Sequence, residues 1–488
     1  MALGYPDPAY PAYAHDPRPA SVEELLPIAR HRTTKRYGFP ALSGGPKMAS
    51  DTSRIAEGER LLIVTHITQD ELVLEAMKVA LKEVGAAQVD HINVSDLTGD
   101  EPTEYSAADG WREIPDRLVP MVEKGVTFTA IAHSLRDFLR DRPDAYDSYY
   151  VGQEGGAVHW HRAAGGTMRG QWLFTTYQSL ASRGYSLPDE LWRLIDLKVL
   201  ERFTVADAVH ITDPQGTDIS WEVTPEQAAL WPKGAYIPGH ILGSTIQGIR
   251  FGHTVDDFIK QARILFPTLE GVVAGTANHT GYFPHIKVSI EGGLIQSIEG
   301  GGRYGELWND VLERFSHAEY PGFPQRGWGF FNDASIGTNP KAYRHSDGLW
   351  SYGEPTTNLP ERLRAGVLHF GFGAEHWDET FLTYARENHF PTMHFPHVHI
   401  YFPTYGIRNR DTGEWEKLID KGWLTVLDDP EVRRLAGIFG DPDEVLSYDW
   451  VPNIPGVNSP GEYQRDFGDD PVKVISREVT GDIWRAAR

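Results

Sequence analysis

Three histidines lie within six residues of one another in the run Met393-His394-Phe395-Pro396-His397-Val398-His399-Ile400-Tyr401. The β-branched and aromatic residues around them predict a strand, on which side chains two residues apart project to the same face. His397 and His399 would therefore point the same way. Neutral imidazole is a common metal ligand, and such a pair needs one or two further ligands to make a site with an open position. Histidines in an aromatic run can equally be core or surface residues.

Composition limits what else could be at such a site. The chain has no cysteine, which excludes zinc–thiolate sites, iron–sulfur clusters and thiol nucleophiles, so a metal would be held by His, Asp or Glu. Lys plus Arg number 46 against 68 for Asp plus Glu, a net charge of −22, and no basic run is present. Nucleic acid and anionic membrane are therefore not expected as partners.

Location and size follow from the same reading. The first residues lack the basic and apolar segments of a signal peptide, and no apolar run reaches membrane-spanning length, so a cytoplasmic location is expected. A chain of 488 residues exceeds the size at which single cores usually stop growing, which predicts at least two domains.

Hydrophobic periodicity predicts an α/β fold in the first half. Residues 61–65 form a buried-strand pattern, residues 70–83 an amphipathic helix and residues 88–94 a second strand, which together make a parallel βαβ unit. Its first loop has no Gly-x-Gly-x-x-Gly motif, so a dinucleotide site is not indicated. Ser21 and Glu24 predict a capped helix in the preceding arm.

The second half is richer in short strands and glycines and contains the histidine run. We predict a hairpin with strands 285–290 and 294–298, a helix over 302–314, and strands over 368–372 and 397–402. The fold class is therefore α/β, with an N-terminal parallel α/β domain and a β-rich α+β C-terminal metal-binding domain. The predicted division is an N-terminal arm (1–57), the α/β domain (58–235), the metal-binding catalytic domain (236–430) and a C-terminal tail (431–488).

The order of several motifs resembles that of a known family. They include Gly216-Thr217-Asp218, Ile237-Pro238-Gly239-His240, Ile336-Gly337-Thr338-Asn339-Pro340-Lys341-Ala342, Gly366-Val367-Leu368-His369-Phe370 and His397-Val398-His399. Over roughly residues 60 to 430 the chain is similar to the aminopeptidase T/S family of metallopeptidases, which also contains the 2,5-dihydroxypyridine 5,6-dioxygenases. The resemblance implies the two domains above and a homodimer.

The resemblance also implies a ligand set, from which this chain departs. The peptidases hold two metal ions with two glutamates, two histidines and an aspartate. The glutamate positions match His240 and Asp333 here, the histidines match His369 and His397, and His399 replaces the aspartate. Two neighbouring divalent ions repel each other, and bridging carboxylates normally offset that repulsion. Neutral imidazoles do not, so a single ion is expected.

A single ion is also what the resemblance implies for the dioxygenase branch. There one Fe(II) is held by two histidines and an aspartate, at positions that match His369, His397 and His399. This chain would use three histidines, or two histidines with a carboxylate such as Asp333 or Glu375. As an alternative to ligation, Asp333 could cap the loop that follows it.

Two further histidines are candidates for proton transfer. His376 follows His369 by seven residues, where the resembling peptidases carry a catalytic tyrosine, and an imidazole there could act as general acid or base. His240 could be either a ligand or a proton-transfer group. The alternatives are an exposed loop residue for His376 and a solvated turn residue for His240.

We therefore expect an enzyme, a mononuclear non-haem Fe(II)-dependent dioxygenase that cleaves a hydroxylated aromatic or heteroaromatic ring with O2. Its partners would be a small aromatic molecule and O2. Zn(II) or Mn(II) are alternative metals. The alternative functions are a zinc-dependent aminopeptidase or amide hydrolase, and a non-catalytic binding protein on the same fold.

Overall fold

This computed structural model describes most of the C-terminal half and parts of the N-terminal half. The described residues are 4–9, 20–34, 37, 57–65, 71–93, 96–97, 137–142, 144–151, 169–172, 180, 183–229, 239–242, 255–278, 282–343, 359–374, 379–391 and 396–479. Their strands form a small parallel sheet and a large, mainly antiparallel sheet, accompanied by helices. This mixed helix and strand architecture is consistent with the predicted α/β class.

The small sheet comes from the first part of the chain. Its strands, in the order β2-β1-β3-β4, are β1 (Arg60–Thr65), β2 (Gln88–Asn93), β3 (Ser148–Val151) and β4 (Arg169–Trp172). All neighbours pair in parallel, and helix α2 (Glu71–Glu83) connects β1 to β2. The predicted βαβ unit is confirmed, because its continuous apolar strand and its amphipathic helix are strong local signals.

A helix of the predicted arm packs beside this unit. Helix α1 (Val22–Thr34) contacts α2, and Arg30 pairs with Glu83 at 2.6 Å. The Ser21 hydroxyl accepts the N–H of Glu24 at 3.3 Å, as the predicted cap requires. The Glu24 carboxylate accepts the N–H of Ala20 rather than that of Ser21, so the reciprocal bond is displaced by one residue.

Twelve strands of the described chain form the large sheet. They are β5 (Ala206–Thr212), β6 (Asp218–Glu222), β7 (His240–Leu242), β8 (Glu270–Ala277), β9 (Tyr282–Glu291), β10 (Leu294–Gly300), β11 (Phe331–Gly337), β12 (Leu368–Phe372), β13 (His397–Ile400), β14 (Thr404–Asn409), β15 (Trp415–Asp420) and β16 (Trp423–Leu424). Their order is β16-β15-β14-β5-β6-β8-β13-β12-β11-β7, and β9 and β10 branch from β8. Strands β5 and β6, on the N-terminal side of the predicted boundary at 235, pair within this sheet.

The described residues contain nine further α-helices, of which the last three follow β16 in the chain. They are α3 (Asp189–Thr204), α4 (Pro225–Ala228), α5 (Val255–Leu265), α6 (Gly302–Arg314), α7 (Leu359–Arg362), α8 (Glu379–Glu387), α9 (Pro430–Ala436), α10 (Pro442–Leu446) and α11 (Pro471–Val479). Helix α6 lies against β9 and β10 and buries Tyr304 and Trp308. No membrane-crossing helix is found among the described residues.

The predicted elements of the second half are present. Strands β9 and β10 form the predicted hairpin, and Gly292 and Gly293 make its turn with φ of 59° and 75°, a region that glycine occupies at little cost. Helix α6 and strands β12 and β13 occupy the predicted positions. Strands β11, β12 and β13 are buried along their whole lengths, so both faces of the sheet are covered there.

Candidate metal centre

Strand register places five candidate residues on one face of the large sheet. Directly opposed residues of antiparallel strands share a face, as do residues two apart on one strand. On β11, Asp333 lies opposite Gly371, and Ser335, two residues later, lies opposite His369. The remaining pairs of the register extend this face: Gly337 with His240, His369 with His399, and Gly371 with His397. His397 and His399 thus point the same way, as predicted from their spacing.

Three of these side chains come close enough to share one ion. One ligand atom from each of His240, Asp333 and His369 lies within 4.8 Å of the others, and all three residues are buried. The Asp333 carboxylate is 3.6 Å from Nε2 of His369. The ring centroids of His240 and His369 are 5.2 Å apart. This is a compact group of two imidazoles and one carboxylate.

The other two histidines stand beside this group. The ring of His397 lies 4.4 Å from that of His369, and the ring of His399 lies 5.3 Å from it, measured between centroids. Both residues are buried. They therefore face the same space as the group of three from the β13 side.

Backbone hydrogen bonds hold His397 in place. The hydroxyl of Tyr304, on α6, accepts the N–H of His397 at 2.9 Å and donates to the carbonyl of the same residue at 3.1 Å. Tyr304 stacks on Phe283 with ring centroids 4.4 Å apart, and burial raises the pKa of its hydroxyl. The phenol is therefore a neutral and well-packed support for the end of β13.

Residues 361–366, which begin within the end of α7 and are called the covering segment here, lie against the end of β11. The N–H of Gly337 donates to Val367 at 3.0 Å, and the N–H of Gly366 donates to Gly337 at 3.1 Å. A Cβ on Gly337 would lie 2.6 Å from the carbonyl oxygen of Arg362, so only glycine allows this approach. The segment therefore lies directly against the ligand-bearing strand.

The covering segment adds charged side chains that the sequence did not single out. The buried Glu361 carboxylate lies 3.8 Å from Nδ1 of His399. Burial lowers the pKa of Arg362 to about 9, and the negative charge of Asp333 acts in the opposite direction. Nothing in the spacing of Glu361 and Arg362 pointed to the site, because their closeness depends on how this segment folds back onto β11.

Asp333 lies within a strand. It belongs to β11 and accepts a hydrogen bond from the hydroxyl of Ser335, two residues further along the same face. This bond fixes one carboxylate oxygen, while the other oxygen is the one measured toward His369. The alternative role, capping a loop, does not match this position.

The predicted residues are thus brought together to different degrees. His369 and Asp333 join His240 in the compact group, and His397 and His399 flank it, so that all five remain predicted site residues. His376 and the alternative ligand Glu375 lie outside the described residues, as does His394.

The donor set suits a divalent metal ion. Two neutral imidazoles and one carboxylate are the ligands of the two-histidine, one-carboxylate facial triad of non-haem iron oxygenases, and a similar set binds zinc in hydrolases. Burial limits competition from water, and the single negative charge offsets part of the ion's charge. The arrangement could therefore hold one ion, with His397 and His399 beside it.

Comparison with known proteins gives distant structural neighbours only. No model of a known protein family matches the chain, and no curated protein matches its sequence. The chain is similar to a 2,5-dihydroxypyridine dioxygenase from Pseudomonas putida KT2440, with a TM-score of 0.42 and 11% identity over 85% of this chain and 99% of that one. It is also similar to wild-type AmpT from Thermus thermophilus, with a TM-score of 0.42 and 11% identity over 83% of this chain and 99% of that one. Similarity at this level places the chain in neither family.

Proposed function

We propose that this protein is a metal-dependent enzyme that holds one Fe(II) through His240, Asp333 and His369 and uses O2 to cleave a hydroxylated aromatic or heteroaromatic ring. The observation that carries the proposal is the buried group of two imidazoles and one carboxylate with ligand atoms within 4.8 Å of one another. That donor set is typical of non-haem Fe(II) oxygenases. Bound ferrous iron would supply the redox chemistry with O2.

The chain's own residues have separate tasks in this proposal. His240, Asp333 and His369 bind the ion and fix its position on the sheet face. His397 and His399, which the sequence predicts as ligands, lie beside this group, where an imidazole could bind the ion or accept a proton from a substrate hydroxyl. The covering segment from Glu361 to Gly366 limits the access of water, because it lies against β11 at Gly337.

A single ion is favoured over a pair by the charge of the site. Asp333 is the one carboxylate in the compact group, and neighbouring divalent ions need bridging carboxylates to offset their repulsion. Glu361 is a second carboxylate near the site, 3.8 Å from Nδ1 of His399, and it is not one of the group of three. These positions support a mononuclear site.

The second candidate function is a zinc-dependent aminopeptidase or amide hydrolase. The same donor set favours it, since two histidines and one carboxylate also bind catalytic zinc, which polarises a carbonyl and lowers the pKa of bound water. A third candidate, a non-catalytic binding protein, would have the fold without stoichiometric metal.

Metal content and substrate consumption distinguish the three candidates. We would purify the full chain without oxygen, count iron, zinc and manganese per chain, and measure O2 uptake with hydroxylated pyridines and benzoates. One iron per chain and O2 uptake that is lost in His369→Ala and retained in His210→Ala would support the proposal. His210 is a suitable control because it is an exposed histidine of the same sheet, paired with Asp218 at 2.8 Å.

The other outcomes contradict the proposal in different ways. Zinc bound at stoichiometric amounts, with cleavage of an aminoacyl anilide and no O2 uptake, would favour the hydrolase. Protein that binds no metal after reconstitution would favour a binding role. O2 uptake that survives replacement of His369 would remove the site from the reaction.

A further inference from the structure

Helix α3 carries a buried carboxylate that contacts both backbone turns next to the proposed ligands. Asp196 is fully buried, and in the chain it precedes every strand of the large sheet. Its Oδ2 accepts the N–H of Gly239 at 2.8 Å, and Gly239 is the residue before His240. Its Oδ1 accepts the hydroxyl of Thr338, the residue after the end of β11. One side chain thus links the start of β7 to the end of β11.

Trp192, one helical turn before Asp196, supports the same two turns. Its indole N–H donates to the hydroxyl oxygen of Thr338 at 3.0 Å. Gly239 has a φ of 80°, and a Cβ there would lie 2.8 Å from Cε2 of Trp192, so the turn can approach the indole only as glycine. Residues four apart lie on one face of a helix, so a single face of α3 holds both turns.

The strand that carries His240 needs such support. Strand β7 has three residues and lies at the end of the described strand order, where β11 is its paired neighbour. A three-residue edge strand has few ladder hydrogen bonds to fix it. His240 lies opposite Gly337, directly before Thr338, so a shift of either turn would change the distance from His240 to Asp333 and His369.

We propose that Asp196 is a positioning residue of the metal centre, which sets the separation of His240 from the β11 and β12 ligands by accepting hydrogen bonds from both turns. This inference rests on the proposed metal site. A carboxylate is required because it offers two acceptor oxygens at once, whereas an amide offers one oxygen and one N–H group.

The test is a cobalt titration of the full-length protein, prepared without metal. Co(II) reports its ligand geometry through its visible absorption, so affinity and spectrum are measured together. For Asp196→Asn we expect Co(II) affinity to fall about tenfold or more, with an altered spectrum, as found when groups that orient metal ligands are replaced. The matched control is Asp213→Asn, which replaces another buried carboxyl, one that accepts the N–H of Gln215 at 2.6 Å, a residue of neither turn.

The outcomes separate positioning from general destabilisation. Wild-type affinity and spectrum in Asp196→Asn would overturn the inference and leave the metal site intact. An equal loss of affinity in Asp213→Asn would overturn it as well, since the effect would then be unspecific. A wild-type protein that binds no Co(II) would overturn the proposed metal site, and the positioning role with it.

A second pair of variants decides the question if Asp196→Asn does not fold. Thr338→Val removes the hydroxyl that joins Trp192 to Asp196, and Tyr37→Phe removes a hydroxyl that donates to Asp196 at 2.5 Å from a residue outside the two turns. We expect weaker Co(II) binding in Thr338→Val than in Tyr37→Phe. Equal affinities in the two variants would contradict the inference.

Discussion

His240 reaches the site face differently from its neighbours. His369 and His399 lie in strands that pair on both sides, whereas His240 begins a three-residue strand after a glycine turn. The ligands predicted from sequence are His369, His397 and His399, with Asp333 as a further candidate, while the interatomic distances group His369 with His240 and Asp333. The two ligand sets share His369, Asp333 is a candidate in both, and they make different predictions for His240, His397 and His399.

Alanine variants distinguish these two ligand sets. We expect His240→Ala and Asp333→Ala to lose at least about 100-fold in Fe(II) affinity, because removal of a direct ligand should exceed the 10- to 100-fold effect of removing its supporting groups. We expect His397→Ala to retain most of its affinity while losing activity. Chelator competition under anaerobic conditions measures all three. Metal loss in His397→Ala together with full binding by His240→Ala would instead favour the set predicted from sequence.

Tyr304 offers a test of how backbone support affects the site. We expect Tyr304→Phe to lower the free energy of unfolding by roughly 1–3 kcal/mol, since the buried N–H of His397 loses its hydroxyl acceptor. We also expect a lower kcat, because β13 carries His397 and His399.

The matched control for this variant is Tyr320→Phe. Tyr320 is also buried, and its hydroxyl donates at 2.6 Å to the carbonyl of Pro391, which precedes β13 and is not one of its residues. Its stability should fall by a similar amount while kcat stays unchanged. Equal kcat values in the two variants would show that Tyr304 supports the fold and not the site.

At the level of elements, the close approach of the covering segment to β11 depends on one glycine. We expect Gly337→Ala to cost roughly 1–3 kcal/mol in unfolding free energy, because its Cβ would meet backbone atoms that cannot rotate away. Metal affinity should fall with it, since Gly337 lies opposite His240. Chemical denaturation and metal titration of the same sample measure both effects.

Gly437→Ala is the control for this substitution. Gly437 ends α9 with a φ of −60°, and the nearest atom to an added Cβ lies 3.4 Å away. We expect its unfolding free energy to change by less than about 0.5 kcal/mol. A Gly337→Ala variant as stable as Gly437→Ala would contradict the prediction, because it would show that the covering segment does not pack closely against β11.

Prediction from sequence succeeded where the signal is local. Hydrophobic periodicity predicts the β1–α2–β2 unit and helix α6, and two adjacent glycines predict the turn of the β9–β10 hairpin. Each of these signals lies within one short stretch of sequence. The common face of His397 and His399 follows from the two-residue period of a strand. These features need no knowledge of distant parts of the chain.

Prediction failed where the contact joins distant residues. Asp196 and Thr338 are 142 residues apart, and Tyr304 and His397 are 93 apart, so no spacing rule connects them. Glu361 reaches His399 only because its segment folds back onto β11. The strands could be predicted, but the groups that orient the ligands depend on tertiary packing.

At the scale of the whole molecule, buried carboxyls make stability depend on pH. Burial raises the pKa of Asp213 to about 7, against hydrogen bonds from the N–H groups of Gln215 and Phe402. Between these two values, the Asp213 carboxyl is therefore protonated in the folded state, whereas in the unfolded state, where its pKa is 3.8, it has released the proton. The contribution of Asp213 to the free energy of unfolding is therefore fully present below about pH 4 and is lost as the pH rises through 7. Its upper limit is about 4 kcal/mol.

Asp213→Asn should remove this contribution to the pH dependence. We expect the wild-type protein to lose stability relative to Asp213→Asn between pH 5 and pH 8, as followed by urea denaturation at several pH values. Other titrating groups, including Asp196 with its pKa raised to about 7, act equally on both proteins. Parallel pH profiles of the two proteins would contradict the prediction.

The central claim is that His240, Asp333 and His369 hold one metal ion together. The most direct measurement is anomalous diffraction at the iron edge from crystals of the protein loaded with Fe(II) without oxygen. We predict one peak per chain within about 2.0–2.3 Å of a nitrogen of each histidine and an oxygen of Asp333. A peak bound by His369, His397 and His399 without His240 and Asp333, or no peak on this face of the sheet, would contradict the claim.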